Sequence, residues 1–175
     1  MPNWTQNHTI IKSTDKETIV NLVNKLKTKN NVFDFNKVIP IPEALQHEWR
    51  AVVGEFDDEQ TKQRKQKMLD DLKEEYGYCS WYEFCVNMWG TKWNSCEASV
   101  SKIRKSDDQW FVVYDYQTAW SPPHNLLLEL SRQVCNVTII NDACDEGSMY
   151  APFVATYKGG KLISEVEYEN EEEEE

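Results

Sequence analysis

WFVVYDY at 110–116, LLLEL at 126–130 and VTII at 137–140 are the three runs whose order decides the fold. The first has β-branched or aromatic residues almost throughout and reads as a strand. Ser121 stands before Pro122 and Pro123, a serine cap with proline in the first turn, so the leucines should carry a helix that ends near Arg132. VTII then reads as the next strand. Upstream, Cys96, Ala98 and Val100 alternate with Glu97, Ser99 and Ser101, which predicts a strand forming a hairpin with 110–116.

The first half of the chain supplies the matching elements. Thr9 to Lys12 predicts a strand with Ile10 and Ile11 on opposite faces. Thr14 and Glu17 form a capping box ahead of Ile19, Leu22, Val23 and Leu26, so a helix is expected from about Asp15 to Lys27. The core order is therefore strand, helix, strand, strand, helix, strand. This βαββαβ order predicts an α+β, ferredoxin-like domain, an antiparallel sheet with helices on one face. VFDFNKVIPIP at 32–42 reads as an extended connector, because proline cannot donate to a ladder. Helical material broken near Gly54 follows as an insertion at about 43–78, with Met68, Leu69, Leu72 and Tyr76 on one face and Lys62, Arg64, Lys65 and Lys67 wet. Tyr150 to Thr156 should pair with Leu162 to Val166 across Lys158, Gly159, Gly160 and Lys161 as a terminal hairpin.

The formal charge of −11 is local in origin. Residues 165–175 hold eight glutamates (Glu165, Glu167, Glu169, Glu171, Glu172, Glu173, Glu174 and Glu175), which leaves 22 acidic against 19 basic residues in 1–164. The expected division is thus a single domain over 1–164 and a disordered acidic tail over 165–175. Such a tail keeps the chain soluble, acts as a lure for a basic surface, or shields the protein's own basic patch from nucleic acid. Five cysteines at irregular spacing, without a C-x-x-C pair, argue against zinc and read as reduced thiols. No apolar run approaches a membrane span and no leader-like start is visible, so a cytoplasmic chain without membrane contact is expected.

Seven tryptophans are the unusual feature, and two dense blocks, NMWGTKWN at 87–94 and TAWSPPH at 118–124, flank the predicted hairpin. One reading packs the indoles into the core or the sheet ends, with each ring N–H on a carbonyl. The other makes an aromatic cleft walled by Trp89, Trp93 and Trp120, with charge from Lys92 and with Ser121 and His124 at a helix N-terminus that offers amides to an anion. These blocks, with MPNW and Asn7 at the start, FNKVIPIP at 35–42 and Leu130-Ser131, resemble the YubB-like proteins of phages and plasmids. The resemblance implies a ferredoxin-like domain and assigns no catalytic residue. The chain departs from the family at Thr5, where cysteine is frequent, and in its glutamate tail.

No catalytic set, metal set or cofactor motif is visible. His8, His47 and His124 lie in no recognised motif, and no Walker loop, dinucleotide fingerprint or H-E-x-x-H occurs. A non-enzymatic role is therefore expected. With the setting that the resemblance implies, it would be a mobile-element accessory protein that binds and inhibits a host protein, such as a nucleic-acid-handling defence effector of the restriction or CRISPR kind. Two alternatives stand beside it. A nucleic-acid binder could use the aromatic cleft, although the near-neutral body and acidic tail disfavour phosphate. An enzyme of unknown type is the other.

Overall fold

The computed structural model describes residues 3–51, 54–147 and 151–168. Among them seven strands form one antiparallel sheet: β1 (Trp4–Ser13), β2 (Cys96–Val100), β3 (Arg104–Ser106), β4 (Gln109–Ala119), β5 (Thr138–Asp145), β6 (Phe153–Lys158) and β7 (Lys161–Glu167). Their order is β2-β4-β1-β5-β6-β7, with β3 also on β4. Helix α1 (Lys16–Leu26) leads from β1 toward β2, which lies one strand away across β4. Helix α4 (His124–Gln133) leads from β4 to β5, which lies one strand away across β1. Two interleaved split βαβ units of this kind are the ferredoxin-like arrangement that the sequence predicts. The terminal hairpin widens the sheet beyond β5.

Among the described residues, the helices cover one sheet face. Ile11, Val112, Tyr114, Ile139 and Tyr157 are fully buried there against Ile19, Leu22, Leu26, Leu126, Leu127 and Leu130 of the two helices. Ile10 falls on the other face, as alternation requires. β1 runs ten residues, well beyond the expected Thr9 to Lys12, because its N-terminal half buries polar side chains that periodicity does not register. Thr5, Asn7 and Thr9 are on the core face, and the polar atoms find partners. Asn7 Nδ2 donates to Thr118 Oγ1 at 2.9 Å, Asn141 Nδ2 donates to Asn7 Oδ1 at 3.1 Å, and Thr9 Oγ1 donates to Asn141 Oδ1 at 2.6 Å. Burial of bonded polar groups costs little, so the strand continues.

The segment between α1 and β2 holds a 3-10 turn (Phe35–Lys37) inside the expected extended connector, a 3-10 segment (Glu43–Ala51), α2 (Glu59–Tyr76) and α3 (Trp81–Met88). Leu69, Leu72 and Tyr76 of α2 are half-buried, whereas Met68 is exposed. The sequence reading expects no helix at 81–88. Its start nevertheless carries the Ser-x-x-Glu signature: Glu83 N–H donates to Ser80 Oγ, and the Glu83 carboxylate reaches back to accept from Cys79 N–H, one residue before the cap.

Three further expectations change. Asp15, not Thr14, caps α1, accepting the amides of Glu17 and Thr18. Ser121 does not cap α4, whose first flanking residue is Pro123; the serine hydroxyl donates instead to the Gly90 carbonyl at 2.6 Å. The acidic tail does not begin at Glu165, since Glu165 pairs with Ala155 and Glu167 with Phe153 in the β6–β7 ladder. Backbone pairing on an exposed edge is indifferent to a side chain that points into water. Gly159 and Gly160 turn this hairpin with φ of +58° and +76°, as a two-residue mirror-image turn requires. Tyr150 and the glutamates at 169 and 171–175 lie outside the described residues.

Candidate functional site

The two tryptophan blocks meet. Residues 90–95 follow α3, and Trp120 and Ser121 follow β4, so both loops lie at one end of the sheet, where β4 pairs with the start of β1. Two hydrogen bonds fasten them together and a third braces the second block. Thr91 Oγ1 donates to the Ala119 carbonyl at 2.9 Å, Ser121 Oγ donates to the Gly90 carbonyl at 2.6 Å, and Thr118 Oγ1 donates to the Ser121 carbonyl at 2.8 Å. Asn94 anchors the far side of its loop, accepting the Phe35 amide and donating to Asp34. Gly90 has to be glycine: its φ is +86°, and a Cβ would lie 3.1 Å from the His124 amide nitrogen.

On this frame stands a lysine among aromatic rings. Lys92 Nζ lies 4.7 Å from the ring centroids of both Trp93 and Trp120 and 5.6 Å from that of Tyr82. Tyr82 meets Trp120 edge-on at 6.4 Å and Trp81 edge-on at 6.1 Å, and Trp4 lies 6.0 Å from Trp93. No carboxylate among the described residues pairs with this ammonium. Ring faces stabilise a cation by about 0.5–2 kcal/mol per contact, and among the described residues no acceptor pairs with its N–H donors. Trp120 is 37% exposed and Tyr82 43% exposed, so the group reaches the surface. Trp120 also holds φ at +72°, a conformation L residues adopt rarely and at a cost. Its amide donates to the Asn3 carbonyl at 2.9 Å, which ties the strained residue to the chain start.

The expected cleft residues therefore separate. Lys92, Trp93 and Trp120 come together. Trp89 does not wall a cleft: it is 1% exposed, packs edge-on against Phe35 and donates its ring N–H to the Ile39 carbonyl at 2.9 Å. Ser121 fastens the loops. His124 faces elsewhere, with Nδ1 3.0 Å from the Tyr157 hydroxyl. The start of α4 offers fewer amides to an anion than expected, because two of its first three are engaged: Leu126 donates to the Trp89 carbonyl and His124 to that of Pro122. Tyr82 and Trp4 were missed. The Ser-x-x-Glu signature at Ser80 and Glu83 marks the helix that carries Tyr82, whereas Trp4 joins only through the register Trp4 to Ala119.

The open sheet face is a second concavity. His8 lies between Asp115 and Asp142 on neighbouring strands, with Nδ1 2.6 Å from Asp115 Oδ1, while Asp142 accepts from the Tyr168 hydroxyl at 2.6 Å. That bond holds the Tyr168 phenol up at about 12. His8 and Asp115 have half or more of their side-chain surface in water. Two carboxylates at the centre of this face oppose phosphate. Of the basic cluster on α2, Lys62 is paired with Glu59 and Lys65 with Asp57. Among the described residues no group of three or more His, Cys, Asp or Glu side chains is placed to hold a metal, and no helix is long and apolar enough to cross a membrane.

No curated protein matches the sequence. Among solved structures, the crystal structure of a protein api92 from Yersinia pseudotuberculosis aligns with a TM-score of 0.55 over 97% of this chain and 99% of that chain, at 11% identity. At that identity the likeness speaks for the fold. The family model described as the ferredoxin-like domain in Api92-like protein matches residues 88–175, from the last residue of α3 onward. This match takes in half of the chain, β2 to β7 with Lys92, Trp93 and Trp120 among them, and by it the chain belongs to the Api92-like family.

Proposed function

We propose that the chain is a non-enzymatic binding protein whose aromatic platform, Tyr82, Trp93 and Trp120 around Lys92, receives a segment of a protein partner. The observation that carries this reading is the Lys92 ammonium, held by three rings with no carboxylate partner among the described residues. An acidic side chain from a partner completes its hydrogen bonds while apolar groups cover Trp120 and Tyr82. Exposed tryptophan and tyrosine are residue types enriched at binding hot spots. Backbone strain at Trp120 supports the same reading, since it is maintained at a residue the core does not need buried. The finer reading follows the resemblance to YubB-like proteins of phages and plasmids: a cytoplasmic accessory protein that inhibits a host protein. A defence effector with a basic nucleic-acid channel suits it, because the glutamate-rich end of the sequence complements such a surface.

The test is affinity capture from a bacterial lysate with the wild-type chain, Lys92→Met, Trp120→Ala and Trp110→Ala side by side. Trp110, on β4 beside Lys16 and Lys105, serves as a control away from the platform. A protein retained by wild type and Trp110→Ala and lost from both platform variants supports the proposal. Equal retention by all four removes the platform from the mechanism, and salt-sensitive capture of nucleic acid instead would favour the nucleic-acid reading.

A further inference from the structure

β7 is one margin of the sheet, and all seven of its residues are exposed. Its inner side pairs with β6, and among the described residues no strand pairs with its outer side. Leu162, Ile163 and Val166 are 41%, 58% and 61% exposed, respectively. An uncovered apolar edge is a template for another strand.

The order of residues in β7 indicates which strand. When KLISEVE is laid antiparallel against itself about Ser164, Lys161 stands opposite Glu167, Leu162 opposite Val166, Ile163 opposite Glu165, and Ser164 opposite itself. Ion pairs close both ends and an apolar pair lies inside each, and these are the cross-strand combinations that stabilise a ladder. Neighbouring registers are poorer. Centring on Glu165 sets two carboxylates face to face. Centring on Ile163 leaves Val166 and Glu167 opposite the turn glycines Gly160 and Gly159.

We propose that β7 pairs with β7 of a second copy of this chain, antiparallel and two-fold about Ser164, so that one sheet runs through the dimer. The interface is isologous and closes on itself. A single strand pair buries less than the roughly 1,200–2,000 Å² of a standard interface, so association falls in the weak, micromolar range.

Sedimentation velocity on the full chain from about 1 µM to about 1 mM reads the equilibrium. Wild type should shift from monomer to dimer across that range, and the β7 amides should gain hydrogen-exchange protection as concentration rises. Lys161→Glu and Glu167→Lys should each weaken dimerisation about tenfold, because each puts like charges at both symmetric ends. The doubly swapped variant, with both substitutions, should return to within about threefold of wild type, since opposite charges face each other again. Both substituted positions are exposed, so the changes leave the core untouched. A wild type that stays monomeric throughout overturns the proposal, as does a dimer unaffected by either single change. Failure of the double swap to restore association overturns the register.

Discussion

Replacing Trp120 by alanine and by glycine separates what the ring contributes from what its backbone costs. The residue holds φ at +72°, where an L side chain crowds the carbonyl and raises the energy by about 1–2 kcal/mol. Glycine enters that conformation without the penalty, although at an ordinary position it is worse than alanine by about 0.5–1 kcal/mol. Both substitutions delete the same indole to within a methyl group, so the lost burial nearly cancels between them. Relief of strain then exceeds the entropic cost, and Trp120→Gly should be more stable than Trp120→Ala by about 0.5–1 kcal/mol. That sign is the reverse of the usual one. Both should lie below wild type, because only 37% of the residue is exposed and the covered part is worth at most roughly 3–4 kcal/mol. Urea unfolding followed by far-UV circular dichroism gives the difference as a shift in midpoint at constant slope. An alanine variant as stable as the glycine variant would refute the claim that the chain holds this ring at the surface against its backbone preference.

Trp89→Ala should instead cost about 3–5 kcal/mol, since it empties a core site and strands the Ile39 carbonyl; a loss below about 1 kcal/mol would contradict its placement. Acid should loosen the helix starts. The Thr18 hydroxyl and amide hold the Asp15 carboxyl below its ordinary range, the Thr61 amide does so for Asp58, and Lys65 followed by the Gly54 amide does so for Asp57. A lowered carboxyl contributes stability that is complete above its unfolded value and is lost as pH falls through the lowered one, so α1 and α2 should fray below about pH 4. Amide shifts at 15–18 and 58–61 during acid titration report this, and Asp58→Asn should flatten the response of α2 alone. Burial pushes the Cys85 thiol up to about 12, whereas Cys135 is exposed. Timed alkylation with mass spectrometry at neutral pH should therefore label Cys135 long before Cys85, and comparable rates would show that α3 opens readily.

What could be read from the sequence followed from where chemistry repeats. β4 was legible because β-branched and aromatic residues fill WFVVYDY, and α4 because a proline pair precedes its leucine run, although the serine before them turned out not to cap it. The first half of β1 was not, because Thr5, Asn7 and Thr9 satisfy one another inside the sheet, and a polar core leaves no alternation to detect. α3 was not legible because it is only eight residues long and its one clear helix signal is the Ser80 and Glu83 pair at its start. Thr14 and Asp15 are both competent caps, and only the chain path selects the second. At the site, Lys92, Trp93 and Trp120 were legible together because both blocks flank the same predicted hairpin. Trp89 has the same local context yet falls to the core, since the end of α3 turns it inward onto Phe35.

The platform is assembled where the inserted helices meet the sheet, and if it binds as proposed that location divides the work of recognition. The ferredoxin-like core alone contributes Trp120 from the end of β4 and Trp4 from β1, held in register by the Trp4 to Ala119 pair. Tyr82 comes from α3, and Lys92 and Trp93 from the loop between α3 and β2. The sheet thus fixes where the platform stands, and the segment between α1 and β2 decides what it presents. A side chain carried by rigid flanking elements loses little entropy when it binds, and here the flanks are Thr91, Asn94 and Ser121, each fastened to another backbone. If the platform binds as proposed, a change of partner would require only new side chains at 82, 92 and 93, because the two hydrogen bonds that tie the loop of Lys92 and Trp93 to the end of β4 run from the Thr91 and Ser121 hydroxyls to the carbonyls of residues 119 and 90 and would survive the exchange.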